Sequence, residues 1–188
     1  MIKIGITGSI ASGKSTVAKI LSNKRGPLFN ADKEVIKLYK SNNFKKILIR
    51  QFNLDTKSNL KKSLKEKIFE NKINFKKLEK LIHPIIRKKM KKFSHFYRRK
   101  KILFFEIPLL IESKLMKYFD VIIFVKAKKK IRLKRFITKG GNKKLFRILN
   151  SKQLPDKKKI QHCDHIVVNE NNFNILKKKL LSIINFYV

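Results

Sequence analysis

The chain has 188 residues, which suits one compact domain, and its 43% hydrophobic content is ample for a core. It carries 49 Lys and Arg against 12 Asp and Glu, a formal charge of +37, and a single cysteine, Cys163. The lone thiol excludes an intramolecular disulfide, and no apolar run reaches the length of a membrane span.

Such a charge points to a nucleic acid, an anionic membrane or another polyanion. A coding bias accounts for it too: the chain is rich in Lys, Asn, Ile and Phe and has no Trp. The lysine excess is therefore read mainly as drift into solvated positions. Runs such as "RKKMKK" (87–92), "KAKKK" (126–130) and "PDKKK" (155–159) alternate with apolar residues, as basic solvent faces of helices do. No signal peptide is visible, and a soluble cytoplasmic protein is expected.

The first apolar run, "IKIGIT" (Ile2–Thr7), predicts a buried strand. Directly after it stands Gly8-x-x-x-x-Gly13-Lys14-Ser15, which fits the phosphate-binding loop pattern, and then the amphipathic "VAKILSNK". The two glycines permit a sharp turn and a close backbone approach. The following helix adds free N–H groups and its dipole. Lys14 places a cation on the β- and γ-phosphates of a nucleotide, and the Ser15 hydroxyl is the expected Mg²⁺ ligand.

A weaker strand, "PLFN" (Pro27–Asn30), leads into "ADKEV". Asp32 then falls near the carboxyl edge of the sheet, where it can take a proton from an acceptor hydroxyl; it serves equally well as a helix cap. Residues 33–40, 44–52, 60–69 and 75–97 have helical patterning and read as an insertion beside the sheet. Within them, "LEKLIHPIIRK" places Pro84 at a kink or at the start of a new helix. His83 would sit at that break, as a ligand contact or as a structural residue.

"ILFFE" (Ile102–Glu106), "VIIFV" (Val121–Val125) and "HIVV" (His165–Val168) complete five strands. Strands alternating with helices imply an α/β fold with a parallel sheet. Glu106 closes its strand, where it can hold a Mg²⁺-bound water, while Glu112 reads as a solvated helix residue. Arg135, Lys139 and Arg147 flank the turn Gly140-Gly141, and cations on a mobile segment can close over a transferring phosphoryl group. His95, His162, His165 and Cys163 have no ligand-like grouping and are taken as structural.

Taken in order, these stretches resemble the dephospho-CoA kinase family. The matches are "GSIASGKST", "NAD" ending in Asp32, "LEKLIHP", "EIPLLIE", "FDVIIFV", the lid-like "RLKRFITKGGN", "QLP" and "CDHIVVN". The loop is generic; its combination with "HP", "PLLxE" and the closing "DHIVVN" is specific, and the resemblance covers nearly the whole chain.

The resemblance implies a three-layer P-loop NTPase fold with a five-stranded parallel sheet. A helical substrate-binding insertion (31–100) and a small lid region (128–161) would lie within one kinase domain, 1–188. It implies transfer of the γ-phosphoryl of ATP, with Mg²⁺, to the ribose 3′-hydroxyl of dephospho-CoA. Asp32 and Lys14, with Arg135 and Lys139 of the lid, would carry catalysis. Gly8, Ala11, Ser12, Gly13, Lys14, Ser15, Thr16, Arg147 and Asn169 would hold the nucleotide. Asp32, His83, Glu106, Pro108 and Leu109 would meet the acceptor, and Ser15 and Glu106 the metal. A monomer or weak oligomer with no specific nucleic acid and no membrane partner is expected.

Several positions depart from the family pattern. Asn30 stands in place of an acid, Lys139 in place of a second lid arginine, and Gly140 in place of an acid. Lys139 keeps the charge but loses the planar fork of arginine. The stretch "QFNLDTKSNLKKSL" (51–64) lacks the usual glycines. These bear on affinity and lid geometry more than on the type of reaction. The rival readings are another small-molecule or nucleoside monophosphate kinase, and a nucleic-acid-binding ATPase.

Overall fold

The computed structural model describes residues 1–55, 59–170 and 172–187; part of the glycine-lacking stretch, 56–58, lies outside them. The chain divides into two compact units, one of residues 1–31 with 94–188 and one of residues 32–93.

The first unit is built on a five-stranded parallel sheet of order β2-β3-β1-β4-β5. Its strands are β1 (Ile2–Gly8), β2 (Leu28–Asn30), β3 (Ile102–Glu106), β4 (Val121–Lys126) and β5 (His165–Val168). The apolar runs form these strands because both faces of the central ones are covered. Ile4, Ile6, Phe104, Ile123 and Val125 lie on one face with α1 (Lys14–Ser22) and α9 (Phe173–Ile184). Val17, Ala18 and Leu21 of α1 and Leu176, Leu180, Ile183 and Ile184 of α9 complete that layer. The alternate residues Leu103, Phe105, Ile122 and Phe124 are equally buried on the other face, as the period of two in a strand requires. There Phe105 meets Phe119 edge-on at 5.3 Å.

Strand β1 lies between β3 and β4; its own connection runs to β2 on one side, while that of its neighbour β3 runs to β4 on the other. Ligands of open α/β sheets collect at the carboxyl end of such a switch point. The remaining helices of this unit are α6 (Lys129–Thr138), α7 (Lys143–Ser151) and the short α8 (Asp156–Ile160).

The second unit is helical. It contains most of α2 (Ala31–Lys40), α3 (Asn42–Phe52), α4 (Leu60–Glu70) and most of α5 (Lys72–Phe96). Its core is formed by Leu38, Phe44, Leu48, Phe52, Leu54, Leu64 and Leu78. No new helix starts at Pro84: α5 runs through it as one helix of 25 residues. A proline there removes one backbone hydrogen bond. Leu78, Leu81, Ile82 and Ile85 continue the apolar stripe into the unit's core across that point, and this packing outweighs the local cost.

Phe104 is fully buried in the sheet. Phe104→Ala is expected to lower the unfolding free energy by about 3–5 kcal/mol. Urea unfolding of the two proteins, followed by far-UV circular dichroism, measures the difference.

Candidate active site

The site begins where β1 ends. Gly8 pairs in register with Val125 of β4, and a Cβ at Gly8 would lie 2.4 Å from the Val125 carbonyl oxygen. At the other end of the loop Gly13 is left-handed, at φ 95° and ψ 24°, and caps α1. The Gly13 carbonyl accepts from the N–H groups of Thr16 and Val17, both at 3.1 Å. Ala11, in between, also has a positive φ of 58°. The loop therefore curls, and the N-terminus of α1 faces into the curl.

Lys14 is buried, and its ammonium donates to the carbonyl oxygens of Gly8 and Ser9 at 3.1 and 3.0 Å. Ser15 is exposed in the first turn of α1 and donates its hydroxyl to Glu106 Oε1 at 2.5 Å. Glu106, almost fully buried, is the last residue of β3 and lies in register with Ile6 of β1 and Asn30 of β2. Its second oxygen accepts from the Asn30 side-chain amide. Strand register thus brings the expected metal-binding pair Ser15 and Glu106 together and adds Asn30, which keeps one carboxylate at this edge where a second acid would repel it.

Two side chains close the far side of the loop. Asn169, just past β5, is buried and donates from Nδ2 to the Ser12 carbonyl oxygen at 2.8 Å. Arg135 of α6 reaches the same oxygen at 3.4 Å. Lys139, the residue that ends α6, and Arg147 in α7 are exposed. Pro108 follows β3 and accepts from the Thr7 hydroxyl at 3.2 Å; Leu109 stands beside it, half-buried.

Asp32 and His83 belong to the helical unit. Asp32 is exposed in the first turn of α2. His83 is half-buried within α5, and desolvation holds its imidazole below the usual histidine value, opposed by Glu79 and reinforced by Arg87. Burial, with Asp164 beside it, pushes the Cys163 thiol up to about 12.

Some residues at this site were not anticipated from the sequence. Glu112 is not a solvated helix residue: it sits in the turn after β3 and pairs with Lys159 at 2.6 Å. Lys159, expected on a basic solvent face, is fully buried. Gln153, Asp156 and Arg132 all reach the loop at Ser9 and Ile10.

A curled glycine loop between a central parallel strand and a helix, with a loop lysine and a hydroxyl joined to a strand-end carboxylate, defines the P-loop nucleotide-binding class. A family model described as dephospho-CoA kinase matches residues 2–174. A curated relative so described, from Bartonella quintana, is 37% identical over 96% of this chain and 95% of its own length. A solved structure from Thermus thermophilus superposes with a TM-score of 0.83 at 26% identity, covering 100% of this chain and 98% of the other. The dephospho-CoA kinase from Campylobacter jejuni gives a TM-score of 0.68 at 26% identity, with 97% and 95% covered. The chain belongs to the dephospho-CoA kinase family and is a kinase.

A Cβ on Gly13 would lie 2.0 Å from Asn169 Nδ2 in a backbone region that L side chains rarely adopt. Gly13→Ala is therefore expected to displace Asn169 from the Ser12 carbonyl and to weaken ATP binding by at least about tenfold, the loss of strain-free loop geometry and one buried hydrogen bond. Calorimetric titration with ATP measures it.

Proposed function

We propose that this chain completes coenzyme A synthesis by transferring the γ-phosphoryl group of ATP to the ribose 3′-hydroxyl of dephospho-CoA. Family membership supports the substrate. The observation that carries the reaction type is the junction of the phosphate loop with Glu106 through Ser15.

Positioning and charge neutralisation supply most of the rate of such a transfer. Loop N–H groups and the N-terminus of α1 receive the phosphates, and Gly8, Ala11, Ser12, Gly13 and Thr16 shape that cradle. Lys14 exchanges its carbonyl contacts for the β- and γ-phosphate oxygens. Asp32 accepts the proton of the 3′-hydroxyl as that oxygen attacks the γ-phosphorus and the bond to the bridging oxygen of ADP breaks. Arg135 and Lys139 neutralise charge on the group in transfer. Arg147 and Asn169 contact the nucleotide, while His83, Pro108 and Leu109 line the acceptor site.

Ser15 and Glu106 are hard oxygen donors in contact, a pair that suits Mg²⁺. An ion held there would draw charge from the β- and γ-phosphates. No helix among the described residues is long and apolar enough to cross a membrane. We place the enzyme in the cytoplasm as a monomer or weak oligomer, without a specific nucleic-acid partner.

The test is ADP release with ATP, Mg²⁺ and dephospho-CoA, beside an AMP control. Release that depends on dephospho-CoA and is abolished in Lys14→Ala is the expected result. Asp32→Asn should cut turnover by at least ~10² while the protein stays folded. Near-normal turnover in that variant would remove Asp32 from its role, and release with AMP alone would move the reading to a nucleotide kinase.

A further inference from the structure

The phosphate loop is gripped from outside at two adjacent residues. The Ser9 hydroxyl donates to Asp156 Oδ1, and the Ile10 N–H donates to Gln153 Oε1 at 2.9 Å. The Ile10 carbonyl accepts from Arg132 at 3.4 Å, and the same guanidinium nitrogen reaches Asn150 Oδ1 at 2.8 Å. Both backbone polar groups of Ile10 are thus tied to side chains far along the chain.

Gln153 and Asp156 stand on a segment that does not hold itself. The helix that follows, α8, has five residues, too few to be stable alone. Glu112 and Lys159 fix it. Lys159 is fully buried, although Lys157 and Lys158 beside it are exposed. Its ammonium lies 2.6 Å from Glu112 Oε1, and the same oxygen accepts from the Leu154 N–H at 3.2 Å. One carboxylate therefore holds the segment on both sides of Asp156.

Stability alone does not explain this pair. The second oxygen of Glu112 is buried without a hydrogen-bond partner among the described residues, and the lysine ammonium, also buried, meets Glu112 Oε1 as an ion pair. An incompletely satisfied buried ion pair is often no more stabilising than two apolar side chains of the same volume. What the pair does supply is a fixed place for Gln153 and Asp156.

We propose that Glu112 and Lys159 are positioning residues for nucleotide binding. They hold residues 153–156 against Ser9 and Ile10, and that contact sets the loop in the form that receives the phosphates. The proposal rests on the loop being the ATP site.

Removing one charge strands the other in the core, so the pair is tested together. ATP affinity is measured by calorimetric titration for wild type, Lys14→Ala, the paired variant Glu112→Leu with Lys159→Met, Asp156→Ala, and the triple variant. Thermal midpoints are recorded beside them. The paired variant should keep a midpoint close to wild type, bind ATP about tenfold more weakly, and leave the KM for dephospho-CoA unchanged. Asp156→Ala should also weaken ATP binding. The triple variant should bind no more weakly than the paired one, since the contact is already lost.

A merely structural pair would lower the folded fraction and leave the affinity of folded protein unchanged. Wild-type affinity in a folded paired variant overturns the proposal, as do losses that multiply in the triple variant. If the paired variant does not fold, Gln153→Ala with Asp156→Ala decides: weakened ATP binding supports the proposal and wild-type affinity overturns it. Failure of the ATP-site reading shows separately, as a Lys14→Ala variant that binds ATP like wild type.

Discussion

The constraint on which the structure depends is a lysine ammonium buried in a tight loop. In its proposed role Lys14 is held where it can neutralise phosphates, and as a buried charge it needs oxygens of its own. The carbonyls of Gly8 and Ser9 supply these at 3.1 and 3.0 Å. They can do so only because the chain curls back at Ala11 and Gly13, where φ is positive. The curl in turn needs rigid ends: a central strand before it and a helix packed on the sheet after it. Those two elements are among the most completely buried of the chain, with Ile4, Ile6, Val17 and Ala18 fully enclosed.

A loop so shaped still has an outer surface with polar groups to satisfy. Asn169 and Arg135 take the Ser12 carbonyl, Gln153 and Arg132 take the two sides of Ile10, and Asp156 takes the Ser9 hydroxyl. These side chains come from after β5, from α6, from the α7–α8 connection and from the start of α8. The carboxyl-terminal half of the chain is thus a scaffold for a loop near its start. This explains why the family resemblance extends through "QLP" and "DHIVVN" rather than stopping at the loop.

Much of this was legible in the sequence, for one physical reason. Central strands of a parallel sheet are apolar on both faces, so Ile102–Glu106 was placed residue for residue, and the loop motif announced itself between strand and helix. His165–Val168 was placed with the same accuracy from its short apolar run, although it is an edge strand with Ile166 and Val168 exposed. Elements set by tertiary contact were not legible. Pro84 predicts a kink or a new helix from local chemistry, and the packing of Leu81, Ile82 and Ile85 carries α5 through it as one helix. Lys159 looked like its neighbours because α8 is too short to show a periodic face. Glu112 looked solvated because its partner lies 47 positions away. Gln153 and Asp156 left one signal, the "QLP" match, which marked a place and gave no role.

The charge of the chain divides along the same line. Among the described residues only Lys14, Arg132 and Lys159 are buried cations, out of 49 Lys and Arg in the sequence. An exposed lysine is screened by salt and water and costs little wherever it falls, so composition can drift there without consequence to the fold. A buried cation must be matched by oxygens at a fixed distance. Lys14 has the loop carbonyls, Arg132 has Ala127, Asn150 and Ile10, and Lys159 has Glu112. All three act within or upon the phosphate loop, directly or through residues 153–156. In a chain of net charge +37 the informative cations are therefore the few that water does not reach, and burial separates them from the rest where composition does not.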